Sequence, residues 1–216
     1  PNLTRGELDR RLTDIHDEAR VWSEITDTHG QLLETLTSPG PSTSNPQDQL
    51  LSLGDNVADQ VPRYTRFYAR HKLRRADRER VKITVNEGLK GVTAWASGAG
   101  YLTLFYSLRN LIENAVKYTT PNASGEREIH TNIYLDPDHP DHVRVEVTNA
   151  ATGLSPADLQ EVWEYRRRLA NSGNDVTGTG IGLWSTRQLT ERAGGRVGAY
   201  LHPDGQRVSF YISFPL

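Results

Sequence analysis

The amino-acid sequence predicts an α+β protein: a two-layer sandwich of helices on a mixed sheet, preceded by an antiparallel helical hairpin. Three observations predict this fold class. Residues 1–36 and 48–71 carry apolar residues at the spacing of a helical seam. A loop rich in Pro, Gly and Ser, residues 38–46, separates the two seams. Residues 81–216 then mix strand and helix patterns without the regular alternation of a parallel sheet.

The helical hairpin is predicted from two narrow seams. In the first helix, steps of four and three residues alternate along Leu8, Leu12, Ile15, Ala19, Trp22, His29, Leu33 and Leu36, with one polar interruption at Thr26. The second seam starts near Asp48 and contains Leu50, Leu53, Val57, Tyr64, Phe67 and His71, with a kink expected at Pro62. Such a hairpin leaves apolar surface uncovered, so we expect a second copy of the chain to complete a dimeric four-helix bundle. We assign residues 1–76 to this domain and residues 77–216 to the α/β domain.

The elements of the α/β domain follow from changes in hydrophobic period. Alternation of period two predicts strands at 81–85, 92–96, 130–135, 143–148, 196–201 and 207–214. Helical spacing predicts helices at 101–119 and 183–193. Residues 155–177 carry little periodicity beyond one short turn, and a long loop in a compact domain is often a lid.

Composition restricts the class of function. The 216 residues are 36% hydrophobic and 24% charged, with a formal net charge of −2, which argues against broad attraction to nucleic acid or to anionic membranes. The chain has no cysteine, which excludes disulfides, thiolate catalysis and cysteine-ligated metals. It begins at Pro1 and contains no methionine, so we expect it to be part of a longer protein.

The helix predicted at 101–119 carries polar side chains that suit a nucleotide site. Asn110, Asn114, Lys117 and Tyr118 fall at i, i+4, i+7 and i+8, which places them in one stripe along its exposed side. Magnesium takes oxygen ligands and keeps several waters, so one carboxamide oxygen and nucleotide phosphates can hold it. The lysine could meet phosphate and the tyrosine could pack against a base. An ordinary surface stripe is the alternative interpretation.

The segment Gly178-Thr-Gly-Ile-Gly-Leu183 is a glycine loop that runs into the next predicted helix. It lacks the Gly-Lys-Ser/Thr ending of a P-loop and the glycine spacing of a dinucleotide fingerprint. Its glycines free backbone amides at a helix start, which makes a good anion cradle. A simple glycine turn is common, but together with the asparagine helix the loop predicts a nucleotide site that uses a metal.

In order along the chain, these motifs resemble the ATP-binding region of sensor histidine kinases, within the GHKL ATPase superfamily and its Bergerat-type sandwich fold. The similar segments are the N box at 110–118, the position of the Asp-x-Gly-x-Gly box at 147–154, the aromatic box of the lid at 159–166, the second glycine box at 178–183 and the final strand at 210–215. The resemblance covers roughly residues 80–216 firmly and the helical hairpin more weakly.

The resemblance implies roles for the polar residues of the N box. Asn114 would ligate Mg2+, and Asn110 would support phosphate or metal. Lys117 and Tyr118 would flank the bound ATP.

The resemblance also implies contacts from the other motifs. Asn149 would read the adenine amine, and Gly153 would permit its close approach. Beneath the lid at 155–177, the phosphates would be wrapped by Gly178, Thr179, Gly180, Gly182 and Leu183.

Two residues depart from the family pattern around the adenine. The family's adenine-reading aspartate is Asn149 here, and the first glycine of the same box is Ala151. An asparagine oxygen still accepts a hydrogen bond from the adenine amine, though more weakly than a carboxylate does. We therefore expect modest nucleotide affinity.

The phosphoacceptor implied by the resemblance is His16, which lies on the first hairpin helix and is followed by Asp17. The seam places His16 on a flank of that helix, where Asp17 could orient the imidazole and draw its proton as phosphate arrives. A solvated helix histidine is the alternative. His29 falls on the seam itself, so we interpret it as a core or interface histidine. Arg20 stands where the family often has Thr or Asn, which argues against phosphatase activity.

The resulting hypothesis is a cytoplasmic, homodimeric histidine kinase core of a two-component system. ATP and Mg2+ would phosphorylate His16, and the phosphoryl group would pass to a response-regulator receiver domain. We expect no contact of this segment with nucleic acid or membrane.

Three alternatives stay open. One is a non-catalytic module that binds nucleotide weakly, or not at all, and signals through its dimeric helices. Another is an ATP-hydrolysing clamp, but such relatives carry a water-activating glutamate where this chain has Asn110, and Glu113 points about 100° away from Asn114 around the helix. The last is an anti-sigma serine kinase, which would not need the long hairpin.

Overall fold

The computed structural model describes residues 4–6, 16, 19, 23, 49–86, 93–96, 98–167 and 180–215. The chain divides into two compact units, Pro1–Pro41 and Ser42–Leu216. In the first unit, the described residues 5, 6, 16, 19 and 23 are helical. The hairpin pairing and the dimeric bundle predicted for this part of the chain lie outside the described residues, and the predicted domain boundary at residue 76 stays a prediction.

The second unit is a mixed α+β fold, as predicted. Its elements in chain order are β1 (Gln49–Ser52), α1 (Leu53–Lys72), α2 (Arg75–Arg78), β2 (Val81–Asn86), β3 (Thr93–Ala96), α3 (Gly98–Tyr118), β4 (Arg127–Leu135), β5 (His142–Ala150), α4 (Pro156–Glu161), α5 (Gly182–Arg192), β6 (Arg196–Leu201) and β7 (Arg207–Pro215). Five strands form a sheet of order β2-β4-β5-β7-β6, and β1 pairs with β3 in a two-stranded sheet. Only the β2–β4 pair of the five-stranded sheet is parallel.

Helices α1, α3 and α5 pack in one layer against this sheet, with α3 in contact with both other helices and with β5 and β7. Leu108, Ile112 and Val116 recur at the i, i+4, i+8 spacing of one helix face and are fully buried. Val145 and Ile212 of the two central strands are also fully buried. The central helix therefore sits on the middle of the sheet and holds both layers together.

The start of α1 differs from the sequence prediction. The predicted helix reached back to about Asp48 with Leu50 on its seam, but Leu50 lies in β1 and pairs with Trp95 of β3. The backbone groups of β1 are satisfied by the second strand, so the helix begins only at Leu53. Its packing on α3 accounts for the burial of seam residues such as Val57 and Phe67 within this unit.

The turn between β4 and β5 is fastened by a buried ion pair. Arg144 donates from Nη2 to Asp136 Oδ1 and to Asp138 Oδ2, both at 2.7 Å. Ser213 of β7 donates to Asp136 Oδ2 at 2.5 Å, and the Arg144 guanidinium lies 3.9 Å from the ring centre of Tyr211. These contacts connect the β4–β5 turn to the two central strands.

Asp136→Asn is expected to destabilise the protein by about 3 kcal/mol at pH 7, because the variant leaves the buried charge of Arg144 without its buried partner. Burial alone would raise the pKa of Asp136, but hydrogen bonds from Ser213, Asp138 and Arg144 outweigh it and hold the pKa below its ordinary value of 3.8. The lowered pKa means that this stabilisation is complete above about pH 3.8 and is lost as the pH falls through the lower folded-state value. In urea unfolding, the difference in the free energy of unfolding between Asp136→Asn and the unaltered chain should therefore be smaller at pH 3 than at pH 7.

The matched control is Asp138→Asn, which removes a carboxylate from the same arginine. The side chain of Asp138 is 69% exposed, whereas that of Asp136 is 1% exposed. An exposed ion pair contributes roughly 0–1 kcal/mol, so this variant should unfold almost as the unaltered chain does. If both variants lose the same free energy of unfolding, the buried pair of Asp136 and Arg144 is not the main source of this stabilisation.

Candidate nucleotide site

The first side of the candidate site forms where α3 meets the start of α5. Asn110 donates from Nδ2 to the carbonyl of Gly182 at 3.4 Å and to Thr186 Oγ1 at 3.2 Å. The prediction that Asn110 lies on the exposed side of its helix is wrong: it is buried because α5 covers it. Asn114 is half-buried and Tyr118 is exposed. The asparagine helix and the end of the glycine loop are thus in direct contact.

The second side of the site forms where α3 ends. Pro121 follows shortly after the last helical residue, Tyr118, and the backbone N–H of Thr120 donates to the carbonyl of Ala150 at 3.0 Å. This bond joins the end of the N-box helix to the end of β5, where Asn149 lies buried. Asn149 donates from Nδ2 to the carbonyl of Ala150 at 3.0 Å, and its Oδ1 is the atom that could accept from an adenine amine.

The departure at Ala151 has a structural explanation. Ala151 is buried in an apolar cluster with Leu159 and Val208, so its methyl group packs into the core. Its backbone N–H donates to the carbonyl of Gln206 at 2.8 Å. Two residues later, Gly153 has φ +77°, a conformation that glycine adopts at little cost. The alanine therefore fills core space, and the glycine that the turn requires is present.

The base of the predicted lid is also defined at both ends. Ser155 caps the short helix α4 through a capping box with Asp158. Beyond it, the ring of Tyr165 packs edge-on against Trp184 of α5 at 5.0 Å between ring centres. Gly180 lies against the backbone of Arg166, so the two ends of the segment 167–180 come together. Gly178 and Thr179, which we predict to contact phosphate, lie outside the described residues.

Gly180→Ala is expected to destabilise this end of the site by about 1–3 kcal/mol. Gly180 has φ +69°, and a Cβ there would stand 2.7 Å from the backbone carbon of Arg166 and 2.9 Å from the carbonyl oxygen of Arg167. The variant should unfold at a lower temperature in differential scanning calorimetry and bind ATP more weakly in titration calorimetry.

Gly182→Ala is the matched control two residues away. A Cβ at Gly182 would lie 3.6 Å from Asn110 Oδ1, an ordinary contact. Gly182 is the first residue of α5 and, unlike Gly180, is not among the glycines with positive φ, so alanine can adopt its backbone conformation. This variant should therefore unfold at or above the temperature of the unaltered chain, and a loss as large as that of Gly180→Ala would contradict the steric explanation.

The charged residues of the N-box helix are held by neighbours. Lys117 forms an ion pair with Glu113, one helical turn earlier, and Lys72 of α1 lies 3.5 Å from the same carboxylate oxygen. Burial raises the pKa of the Tyr68 hydroxyl, and a hydrogen bond to Glu113 raises it further, although Arg109 opposes the shift. The i, i+4 spacing of Glu113 and Lys117 is visible in the sequence. The contacts from Tyr68 and Lys72 depend on the packing of α1 and were not predicted.

The donor set fits a magnesium ion that is held mainly by its nucleotide. Among the residues that the structure describes, no group of three or more His, Asp or Glu side chains could hold a metal ion. The half-buried carboxamide of Asn114 instead offers one oxygen, one helical turn from Asn110. One such protein oxygen together with phosphate oxygens and water is the usual coordination of Mg2+ in nucleotide sites.

The candidate phosphoacceptor lies in the other unit. His16 is helical and exposed. Asp17, Arg20 and His29 lie outside the described residues, so the roles predicted for them stay predictions. In the described part of the chain, no helix has the length and apolar character that crossing a membrane requires.

Known proteins share this architecture. Residues 101–216 match the family described as histidine kinase-, DNA gyrase B-, and HSP90-like ATPase. This match covers more than half of the chain, and the chain belongs to that family. The resemblance to the ATP-binding domain of sensor histidine kinases is thereby confirmed, and named relatives agree with it.

Two curated relatives illustrate the similarity. The chain is 32% identical over 118 residues to the sensor histidine kinase GacS of Pseudomonas protegens, a match covering 53% of this chain and 12% of the relative. It is 25% identical over 199 residues to the adaptive-response sensory kinase SasA of Prochlorococcus marinus, covering 91% of this chain and 46% of the relative. The matched region is therefore less than half of either relative.

Solved structures share the fold. The mycobacterial sensor histidine kinase MprB matches with a TM-score of 0.55 at 19% identity, covering 74% of this chain and 95% of that chain. Full-length ShkA in complex with AMPPNP matches with a TM-score of 0.58 at 19% identity, covering 100% of this chain and 40% of that chain. The two-layer fold predicted from the sequence is thus that of histidine kinase ATP-binding domains.

Proposed function

We propose that this chain is the core of an ATP-dependent protein-histidine kinase that phosphorylates His16. The observation that carries the proposal is the convergence of three motifs on α3. Asn110 bonds to Gly182 of the glycine box, and Thr120 bonds to Ala150 beside the predicted adenine reader. A single nucleotide lying along α3 would contact the residues proposed to bind its adenine, its metal ion and its phosphates.

The residues around α3 would bind and orient ATP. Asn149 Oδ1 would accept from the adenine amine, and the exposed Tyr118 would flank the nucleotide. Asn114 would hold Mg2+, which when bound neutralises phosphate charge as it builds during transfer. Asn110 and Lys117 would support the phosphates, and the backbone of the glycine box would wrap them. Positioning and charge neutralisation supply most of the catalysis in phosphoryl transfer.

The transfer step would use the exposed imidazole of His16. An imidazole nitrogen forms a bond to the γ-phosphorus while the bond from that phosphorus to the β–γ bridging oxygen breaks, so ADP leaves with the bonding electron pair. The imidazole loses its N–H proton, which Asp17 is placed in sequence to accept. The phosphoryl group would then pass to an aspartate of a response-regulator receiver domain. The kinase would act as a homodimer, on the cytoplasmic side.

A second candidate is a signalling module that binds nucleotide weakly without catalysis. Asn149 and Arg20 favour it, because Asn149 replaces the family's adenine-reading aspartate and Arg20 stands where the family often has Thr or Asn. Ala151 does not favour it, since its methyl group packs among core residues. The hydrolysing clamp has less support, because Glu113 is already paired with two lysines.

Intact-mass analysis after incubation with ATP and Mg2+ tests the proposal. We expect one added phosphoryl group, located on the peptide containing His16 when digestion and separation avoid acid. ATP titration by calorimetry, run in parallel, separates the two candidates. Binding without phosphorylation would favour the signalling module, and no binding at all would contradict the proposed ATP site.

A further inference from the structure

The carboxylate of Glu113 is shared by donors from two helices. Lys117 of α3 and Lys72 of α1 both approach Oε1, the latter at 3.5 Å, and the hydroxyl of Tyr68 bonds to the same carboxylate. The Glu113 side chain is only 22% exposed and that of Lys117 only 12% exposed, so solvent screens their interaction incompletely. Nothing in the proposed kinase reaction uses Glu113, Lys72 or Tyr68.

We propose that Glu113 is a positioning residue for Lys117, and that Lys72 sets how tightly Glu113 holds it. The inference rests on the proposed function, in which Lys117 supports the phosphates of ATP. Helix α1 would then adjust the strength of phosphate binding through one shared carboxylate oxygen.

The direction of the effect follows from charge sharing. The ammonium groups of Lys72 and Lys117 approach the same carboxylate oxygen, so repulsion between them partly cancels the attraction that holds Lys117 there. With Lys72 present, Lys117 can leave Glu113 for a phosphate at smaller cost. Without Lys72 that repulsion is absent, so the attraction of Glu113 for Lys117 competes more strongly with the phosphate. With Glu113 neutral, Lys117 is not held, and the identity of residue 72 should matter little.

A double-mutant cycle measures this coupling in the protein as it stands. Binding of MgATP is titrated calorimetrically for the unaltered chain, Lys72→Gln, Glu113→Gln and the double variant. We expect Lys72→Gln to weaken MgATP binding about two- to five-fold, the range typical of a partly exposed ion pair. In the Glu113→Gln background the same change should have a clearly smaller effect. Adenosine, which has no phosphate, should bind the unaltered chain and Lys72→Gln equally in ligand-observed NMR.

Two further variants separate positioning from general effects. Lys82→Gln removes an exposed lysine that pairs with Glu126, and it should leave MgATP affinity unchanged. Lys72→Arg keeps a cation beside Glu113 and should restore most of the affinity lost in Lys72→Gln. Circular dichroism of each variant checks that the fold is retained.

The outcomes distinguish this inference from the function on which it rests. Equal MgATP affinity for Lys72→Gln and the unaltered chain would overturn the inference alone. An effect of the same size in both Glu113 backgrounds would also overturn it, because general loss of positive charge would then explain the result. Failure of the unaltered chain to bind MgATP would overturn both the inference and the proposed function.

Discussion

A chain carrying His16→Gln is expected to take up no phosphoryl group from ATP, while its affinity for ATP stays that of the unaltered chain. A glutamine amide has no basic nitrogen that can attack phosphorus, whereas the neutral imidazole of histidine does. His16 is exposed on a helix in one unit, and the candidate ATP site lies in the other. The two readouts are therefore independent: radiolabel from γ-labelled ATP reports transfer, and titration calorimetry reports binding.

His29→Gln is the matched control for this experiment. Both histidines belong to the first predicted helix, but the sequence places His29 on the packed seam and His16 beside it. His29→Gln should still be labelled. If labelling persists in His16→Gln and disappears in His29→Gln, the phosphoacceptor is His29 and our prediction of His16 is wrong.

Asn114→Ala is expected to lower the rate of autophosphorylation by about 10²-fold or more, the scale on which loss of one preorganised group that stabilises transition-state charge slows a reaction. The variant removes the carboxamide oxygen proposed to ligate Mg2+, so the metal would be held by phosphate and water alone. Asn114 is half-buried on α3, and its side chain is a polar carboxamide. We therefore expect near-normal thermal unfolding, with the loss appearing in the initial rate of labelling at saturating ATP.

Asn114→Asp provides the comparison for this prediction. An aspartate keeps an oxygen ligand at the same position, so this variant should retain more activity than Asn114→Ala, with a changed dependence on Mg2+ concentration. If the alanine variant is labelled as fast as the unaltered chain, Asn114 is not a metal ligand. If both variants fail to fold, as judged by circular dichroism, Asn114 has a structural role instead.

Much of the fold could be predicted because local patterns carry it. The alternation in Val81–Val85 and the helical period of residues 101–119 correspond to β2 and α3 in the structure. The segment between β6 and β7 contains Pro203-Asp-Gly205, a sequence typical of turns. These features depend on neighbours along the chain, so the sequence alone suffices.

Features that depend on distant pairing were not predictable. Leu50 fits a helical seam, but its pairing with Trp95 makes it part of a strand. Asn110 fits an exposed stripe, but the packing of α5 buries it and gives it Gly182 and Thr186 as partners. In both cases a contact between residues far apart in sequence overrides the local pattern.

The candidate site shows the same division. The residue types of the N box and glycine box predicted where nucleotide chemistry would lie, because their spacing suits metal and phosphate. Whether Ala151 would obstruct the nucleotide could not be decided from its identity. That depended on the direction of its methyl group, which points into the cluster with Leu159.

Because α3 lies between the sheet, α1 and α5, binding of ATP to this helix would be coupled to the folding of the domain. Its buried face contributes the heart of the core, and its polar residues would bind ATP. A ligand that binds only the folded form stabilises it by mass action. A higher cellular concentration of ATP would therefore raise the thermal stability of this domain. Mutations on the buried face of α3 would first show as a requirement for a higher ATP concentration.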